Sequence, residues 1–209
     1  VVAATGLAGS GLLRRSLSRP PGSGAFYGHA AAVAATWAAG GLASGPPHLG
    51  RERGSTGRLR RPVAVPVVTG LAAFAGFYGC ALAARRVPVL SDAIASVLSY
   101  AEQGRTPLVL ATTLATGAAE EVFFRGALYA AVGPEHQVPA STAVYVLATA
   151  GTGNPALVLA AGVMGTLFGL QRRASGGIQA PLLTHLTWSA LMVRCLPPLF
   201  RDRARPPKP

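Results

Sequence analysis

The stretch GAAEEVFFRG, residues 117–126, decides how this chain folds. It places the carboxylates of Glu120 and Glu121 and the guanidinium of Arg125 inside an apolar segment that runs from about residue 107 to residue 132. On insertion scales, a charged side chain costs roughly 2.5–3.5 kcal/mol at the centre of a membrane helix. Charged groups this close together in an apolar segment therefore need partners, and they indicate a functional site.

Helical spacing separates the roles of the two carboxylates. Glu121 and Arg125 are four residues apart, so they share a helical face and are expected to form an ion pair that offsets part of the cost of burial. Glu120 lies about 100° further round the helix and is the carboxylate left over for chemistry. The spacing also allows a simpler interpretation, in which the Arg–Glu pair only holds helices together.

The composition indicates an all-α, polytopic membrane protein. Half of the 209 residues are apolar and only 12% are charged, whereas a soluble domain carries about a quarter charged residues. The net charge of +12 comes almost entirely from arginine. Most of these arginines lie between and after the apolar segments, which is typical of membrane flanks facing anionic lipid. We therefore expect a lipid bilayer as partner and no nucleic acid.

The apolar segments predict a transmembrane bundle of about six spans plus a short amphipathic helix. The amphipathic helix is expected within residues 87–106, with Ser91 as a candidate N-cap. Residues 1–13 are short for a span and fit either the end of a helix or an interfacial helix. The predicted regions are N-terminal transmembrane helices with a basic loop (1–106), a catalytic core (107–200) and a disordered basic tail (201–209). The predicted spans are 24–45, 62–84, 107–132, 139–150, 156–170 and 178–200.

A second polar group lies in the last apolar segment. His185 is its only histidine, and Ser189 follows four residues later on the same helical face. An imidazole near a buried carboxylate can share a proton with it and orient a water as part of a general base. Two other roles remain open for His185 at this point, a metal ligand and a hydrogen-bonded contact between helices.

Because it contains both polar groups, the sequence resembles the CPBP family of CAAX-protease and bacteriocin-processing intramembrane endopeptidases. This family is related to the type II CAAX prenyl endopeptidase. The family's first motif, Glu-Glu-x-x-x-Arg, is matched by EEVFFR at residues 120–125. Its last motif, His-x-x-x-Asn or a small polar variant, is matched by HLTWS at residues 185–189. The resemblance covers roughly residues 107–200.

The resemblance implies a role for each matched residue. Glu120 would be the general base for the attacking water, and His185 would stabilise the oxyanion or share the proton. Glu121 and Arg125 would form the structural pair, and Ser189 would orient His185. The substrate implied is a peptide or membrane protein, and the strong Ala, Gly, Pro and Arg bias suggests a bacterial plasma membrane.

One departure from the family pattern affects the expected activity. The middle motif, Phe-x-x-x-His, should fall within residues 144–154, which contain no histidine. The closest analogue in spacing is Tyr145 with Thr149, which puts a hydroxyl where the imidazole belongs. Two interpretations follow: an endopeptidase that works without this histidine, or an inactive relative that binds or scaffolds a peptide or partner.

The same departure bears on a metal cofactor. A catalytic zinc site normally has three protein ligands and an open position. Glu120 and His185 supply two, so zinc is possible but is not supported by a full ligand set.

Overall fold

The computed structural model describes residues 1–53 and 57–200, and their regular structure is helical apart from one two-stranded ladder. The predicted tail, residues 201–209, lies outside the described residues. The elements in chain order are α1 (Val2–Ser16), α2 (Gly24–Ala43), β1 (Glu52–Arg53), β2 (Leu59–Arg60), α3 (Ala64–Ala84), α4 (Pro88–Gln103), α5 (Thr106–Glu120), a π-helix (Glu121–Leu128), α6 (Tyr129–Ala131), α7 (Gln137–Ala150), α8 (Pro155–Ser175), α9 (Gln179–Cys195) and a 3-10 turn (Pro197–Leu199).

Two of the described helices, α3 and α8, are long and apolar enough to cross a membrane. The all-α class is confirmed, with the short β1–β2 ladder as an addition that the sequence did not predict. The figure of about six spans stays a prediction. Several helices of the bundle are shorter than the roughly 20 residues that a perpendicular crossing requires, such as α7 with 14 residues and α9 with 17.

Capping residues set the ends of α8. The side chain of Asn154 accepts hydrogen bonds from the backbone N–H groups of Ala156 and Leu157, and Pro155 follows at the first helical position. At the other end, Gly176 adopts a left-handed conformation with φ of 69°, which glycine tolerates without steric cost. The helix that lies behind the candidate site is thus fixed in length by its own sequence.

The amphipathic helix α4 is present, but it begins earlier than predicted. Its N-cap is Val87 and its first turn contains Pro88, whose fixed φ suits that position. Ser91 lies inside the helix and is fully buried, so the prediction of Ser91 as N-cap was wrong. The sequence pattern predicted that a serine hydroxyl caps the helix, whereas in the structure a proline in the first turn begins it.

The N-terminal helix α1 packs into the bundle. Gly9 lies directly against the ring of Trp37 on α2. Ser10 donates a hydrogen bond from Oγ to the carbonyl of Ala148 on α7, at 3.0 Å. Residues 1–13, for which the sequence allowed two interpretations, therefore lie in a helix that contacts two other helices and extends to Ser16.

An aromatic cluster fixes the segment that carries the two carboxylates. The ring of Trp37 lies 4.8 Å from that of Phe123 and 4.9 Å from that of Phe124, measured between centroids. Aromatic pairs at this spacing add about 0.5–1.5 kcal/mol beyond the area they bury. Because both phenylalanines belong to the EEVFFR motif, this packing anchors the motif against α2.

The motif itself departs from α-helical geometry. Residues 121–128 form a π-helix inserted between α5 and α6, although the sequence predicted a continuous α-helix. The carbonyl of Arg125 accepts a hydrogen bond from Nε of Arg172 on α8, at 2.8 Å. Short π-helical segments are frequent at functional sites, and here α8 supplies a partner for a backbone carbonyl of that segment.

The basic loop between α2 and α3 is docked against the turn that precedes α9. The backbone N–H of Arg51 donates to the carbonyl of Ser175, and the N–H of Ile178 donates to the carbonyl of His48, both at 2.8 Å. Gly50 and Gly177 approach so closely that neither position has room for a Cβ. These contacts fix the start of the helix that carries His185.

Candidate active site

Glu121 is the buried centre of the polar cluster. Its Oε1 accepts a hydrogen bond from Nη1 of Arg125, at 3.3 Å, and lies 2.8 Å from Nδ1 of His185. The side chains of Glu121 and Arg125 are both fully buried. The predicted ion pair between them is therefore present, and the same carboxylate also joins α9 to the π-helix.

Arg125 has partners for both terminal nitrogens of its guanidinium and packs between aromatic rings, while its buried Nε has no hydrogen-bond partner among the described residues. Its Nη2 donates to the carbonyl of Gly165 on α8, at 3.0 Å. Its Cζ lies 4.8 Å from the ring centroid of Tyr145 and 5.1 Å from that of Phe168. Arginine stacks well on aromatic faces because its guanidinium is planar and weakly hydrated. The buried charge is thus compensated by a carboxylate, a carbonyl and two rings.

The contact with Glu121 sets the orientation of His185. An ionised carboxylate only accepts hydrogen bonds, so Nδ1 of the imidazole donates and Nε2 carries the lone pair in the neutral ring. The ring also stacks on Phe168, with centroids 4.7 Å apart and planes at 22°. Nε2 is left 4.0 Å from Oε2 of Glu120.

The partner predicted to orient His185 is not the one found. Ser189 is buried on α9, but within the described part of the chain the polar side chain bonded to Nδ1 of His185 is Glu121. Helical spacing alone brought Ser189 to the same face as the imidazole. The tertiary packing of α9 against the π-helix instead supplies a carboxylate, which is a stronger acceptor than a hydroxyl.

Glu120 has a different environment from its neighbour. Oη of Tyr145 donates a hydrogen bond to its Oε2 at 2.8 Å. Its side chain retains 10% exposure, whereas that of Glu121 has none. Glu120 is therefore the carboxylate of the pair that solvent can reach, and it has no salt bridge to Arg125 among the described residues.

A glycine leaves room beside the two facing groups. A Cβ at Gly117 would lie 3.3 Å from Nε2 of His185 and 3.4 Å from its Cδ2 and Cε1. This separation is tighter than ordinary van der Waals contact. Gly117 lies on α5 one turn before Glu120, so the space next to the imidazole exists because this position has no side chain.

Tyr145 and Thr149, the closest analogue of the missing motif, make two separate contacts. Thr149 donates its hydroxyl back to the carbonyl of Tyr145 on its own helix, at 2.9 Å. The hydroxyl that reaches Glu120 belongs to Tyr145. The sequence spacing identified both residues, but it placed the functional hydroxyl at Thr149. Gly165 and Phe168 were not identified as site residues, since an apolar residue and a glycine within a helix give no sign in the sequence of contact with Arg125 or His185.

The cluster does not provide a zinc site. In residues 1–53 and 57–200 no group of three His, Cys, Asp or Glu side chains is arranged to hold a metal ion. Oε1 of Glu121 and Nδ1 of His185 are already bonded to each other. Only Glu120 and Nε2 of His185 remain as donors, which is one fewer than the usual protein ligand set. We therefore derive no step through a metal.

A comparison with known families matches the part of the chain that contains these residues. Residues 102–191 match the family model described as type II CAAX prenyl endopeptidase Rce1-like. Over this part of the chain the sequence is similar to that family. The match contains both polar clusters, at residues 120–125 and 185–189. Comparison with curated proteins and with solved structures gives no match.

Proposed function

We propose that this protein is an intramembrane endopeptidase that hydrolyses a peptide bond in or near the membrane. The observation that supports it most directly is the facing pair of Glu120 and His185, with Oε2 and Nε2 4.0 Å apart. Two acceptors at that separation can both receive protons from one water, which would leave the oxygen lone pair free for attack.

In the proposed reaction, the water gives one proton to Glu120 as its oxygen bonds to the scissile carbonyl carbon. Glu120 shares this proton with Nε2 of His185, and the imidazolium then donates a hydrogen bond to the tetrahedral oxyanion. The carbon–nitrogen bond breaks as the same proton passes to the leaving amine. One water is consumed, one carboxyl and one amine are released, and both side chains return to their starting states.

Glu121 and Arg125 act as support in this scheme. The carboxylate of Glu121 holds His185 in the tautomer with a free Nε2, and it would stabilise the imidazolium that forms during the reaction. Arg125 holds the Glu121 carboxylate in place by pairing with it. Ser189, which the motif resemblance implicates, lies on the same helix and contributes to the packing of that face.

The proposed substrate is a peptide or a membrane protein. The proposed enzyme is a bundle of about six spans in a bacterial plasma membrane. The family match supports a peptide substrate, since the family is described by its prenyl endopeptidase member. The two apolar helices, α3 and α8, support a membrane setting. Both α3 and α8 contact α9, the helix that carries His185.

A second candidate function is an inactive relative that binds or scaffolds a peptide or partner in the same place. The absence of the middle histidine favours it, because residues 144–154 offer hydroxyls but no imidazole. Against it stands the buried Glu120, a carboxylate without a salt bridge to Arg125, because a pure scaffold would not need to bear the cost of burying it.

The experiment that separates the two candidates is cleavage by the purified protein in detergent or nanodiscs. The panel contains membrane-spanning and lipidated peptides, and the variants are Glu120→Gln and His185→Ala. The matched control is Glu135→Gln, the same chemical change at an exposed turn. We expect cleavage that falls by roughly 10²–10⁴-fold in both site variants and is unchanged in the control. Cleavage that survives both site changes would reject this site, and no cleavage of any peptide by the wild type would favour the binding function.

A further inference from the structure

We propose that Tyr145 is a positioning residue for Glu120, and that its hydroxyl fixes the orientation of this carboxylate. The inference rests on the proposed function for its catalytic consequence. Its structural basis is the hydrogen bond from Oη of Tyr145 to Oε2 of Glu120, at 2.8 Å. This bond connects α7 to the end of α5, across 25 residues of sequence.

The Tyr145 ring has little freedom to move its hydroxyl elsewhere. One contact is with Phe124, edge to face, with centroids 4.9 Å apart and planes at 62°. Another is with the guanidinium of Arg125, whose Cζ lies 4.8 Å from the ring centroid. Both partners belong to the EEVFFR motif, so the ring is held by the same segment whose carboxylate it supports.

The hydrogen bond divides the two oxygens of Glu120 between different tasks. Oε2 accepts the hydrogen bond from the tyrosine hydroxyl and faces Nε2 of His185. Oε1 accepts no hydrogen bond from any described residue, on a side chain that keeps 10% exposure. Tyr145 therefore holds Oε2 toward His185, where the second lone pair of this oxygen can accept from the attacking water, and Oε1 stays available to substrate.

A competing explanation is that Tyr145 serves only to pack against Arg125. The two roles predict different results for Tyr145→Phe, because phenylalanine keeps the ring and removes only the hydroxyl. If the ring alone matters, this variant behaves as the wild type. If the hydroxyl holds Glu120, the variant folds normally but loses turnover.

Tyr129 provides a matched control. It is also buried, at 3% exposure, and its hydroxyl has no hydrogen-bond partner in the structure. Its ring carries a stacking contact with Arg172, with Cζ 5.1 Å from the centroid, which phenylalanine would retain. Tyr129→Phe therefore makes the same chemical change in a buried ring without removing a contact to the site.

The kinetic experiment compares Tyr145→Phe with Tyr129→Phe on a peptide that the wild type cleaves. We expect kcat to fall by about 10- to 100-fold in Tyr145→Phe with KM nearly constant, since misplacement of a catalytic group by about 1 Å costs up to about 10² in rate. The control should retain the wild-type kcat. An unchanged kcat in Tyr145→Phe would overturn the inference and leave the proposed function intact.

An infrared measurement keeps the inference testable if no peptide is cleaved. The carboxylate stretch of Glu120 is identified as the band that disappears in Glu120→Gln. That band should shift in Tyr145→Phe and stay in place in Tyr129→Phe, because only the first loses a donor to the carboxylate. A shifted band in a protein without peptidase activity would reject the proposed function while retaining the positioning contact. A band that does not shift would overturn the inference in either case.

Discussion

Nδ1 of His185 lies 2.8 Å from Oε1 of Glu121, and this contact joins the two polar clusters that are 64 residues apart in the chain. The same oxygen also accepts a hydrogen bond from Nη1 of Arg125. One carboxylate thus compensates the buried guanidinium and orients the imidazole. The adjacent Glu120 takes no part in either contact and instead accepts a hydrogen bond from Tyr145.

Replacement of Glu121 by Gln should strongly destabilise the protein. It removes the carboxylate partner of a fully buried Arg125, and the loss of one member of a buried pair costs about 3–5 kcal/mol. The measurement is the free energy of unfolding in detergent, with Glu135→Gln at an exposed turn as the control. A variant as stable as the control would show that Gly165 and the two rings suffice to hold the arginine.

Gly117→Ala should lower activity without lowering stability. The added Cβ would lie 3.3 Å from Nε2 of His185, in the space where the attacking water is proposed to bind, and a loss of up to about 100-fold in kcat is expected. Alanine also favours the helix by about 0.5–1 kcal/mol, which offsets the tight contact with the imidazole, so the melting temperature should change little.

The control for that substitution is Gly162→Ala on α8, where the nearest atom to an added Cβ is on Val146, at 4.0 Å. It should retain activity. Full activity in Gly117→Ala would mean that the space beside the imidazole is not part of the site.

Ser189→Ala tests which group orients His185. Since Nδ1 is bonded to Glu121, the loss of the serine hydroxyl should reduce cleavage far less than Glu121→Gln does. The readout is kcat/KM for both variants, measured on protein that retains its fold. A loss of 10²-fold or more in Ser189→Ala, in the range expected for a general-base contact, would restore the role that the motif alone implied.

Arg172→Lys should weaken the π-helix. In the wild type, Nε of Arg172 donates a hydrogen bond to the carbonyl of Arg125, at 2.8 Å, while the guanidinium stacks on Tyr129. A lysine keeps the charge but cannot make both contacts at once. A charged hydrogen bond of this kind contributes about 1.5–3 kcal/mol, and partial exposure of Arg172 puts the expected loss at the lower end.

Arg173→Lys is the matched control, since the neighbouring side chain is exposed. Both variants are compared by thermal unfolding and by hydrogen exchange of residues 121–128. Equal exchange in the two variants would mean that α8 does not support the π-helical segment.

The sequence by itself determined the helical class, the position of the polar segment and the pairing of Glu121 with Arg125. These follow from local rules, namely apolar runs, charge within them and four-residue spacing on one helix. The separation of roles between Glu120 and Glu121 was predicted for the same reason, because adjacent helical residues point in different directions.

Only the tertiary structure decided which groups meet across helices. His185 contacts Glu121 and not Ser189. Tyr145 contacts Glu120, and Arg125 is enclosed by Gly165 and Phe168. Each of these contacts joins elements that are distant in sequence. Spacing along one helix fixes which residues share a face, but not which face of another helix lies opposite or at what depth. That choice is made by close packing of small and aromatic side chains between helices, and a linear pattern does not record it.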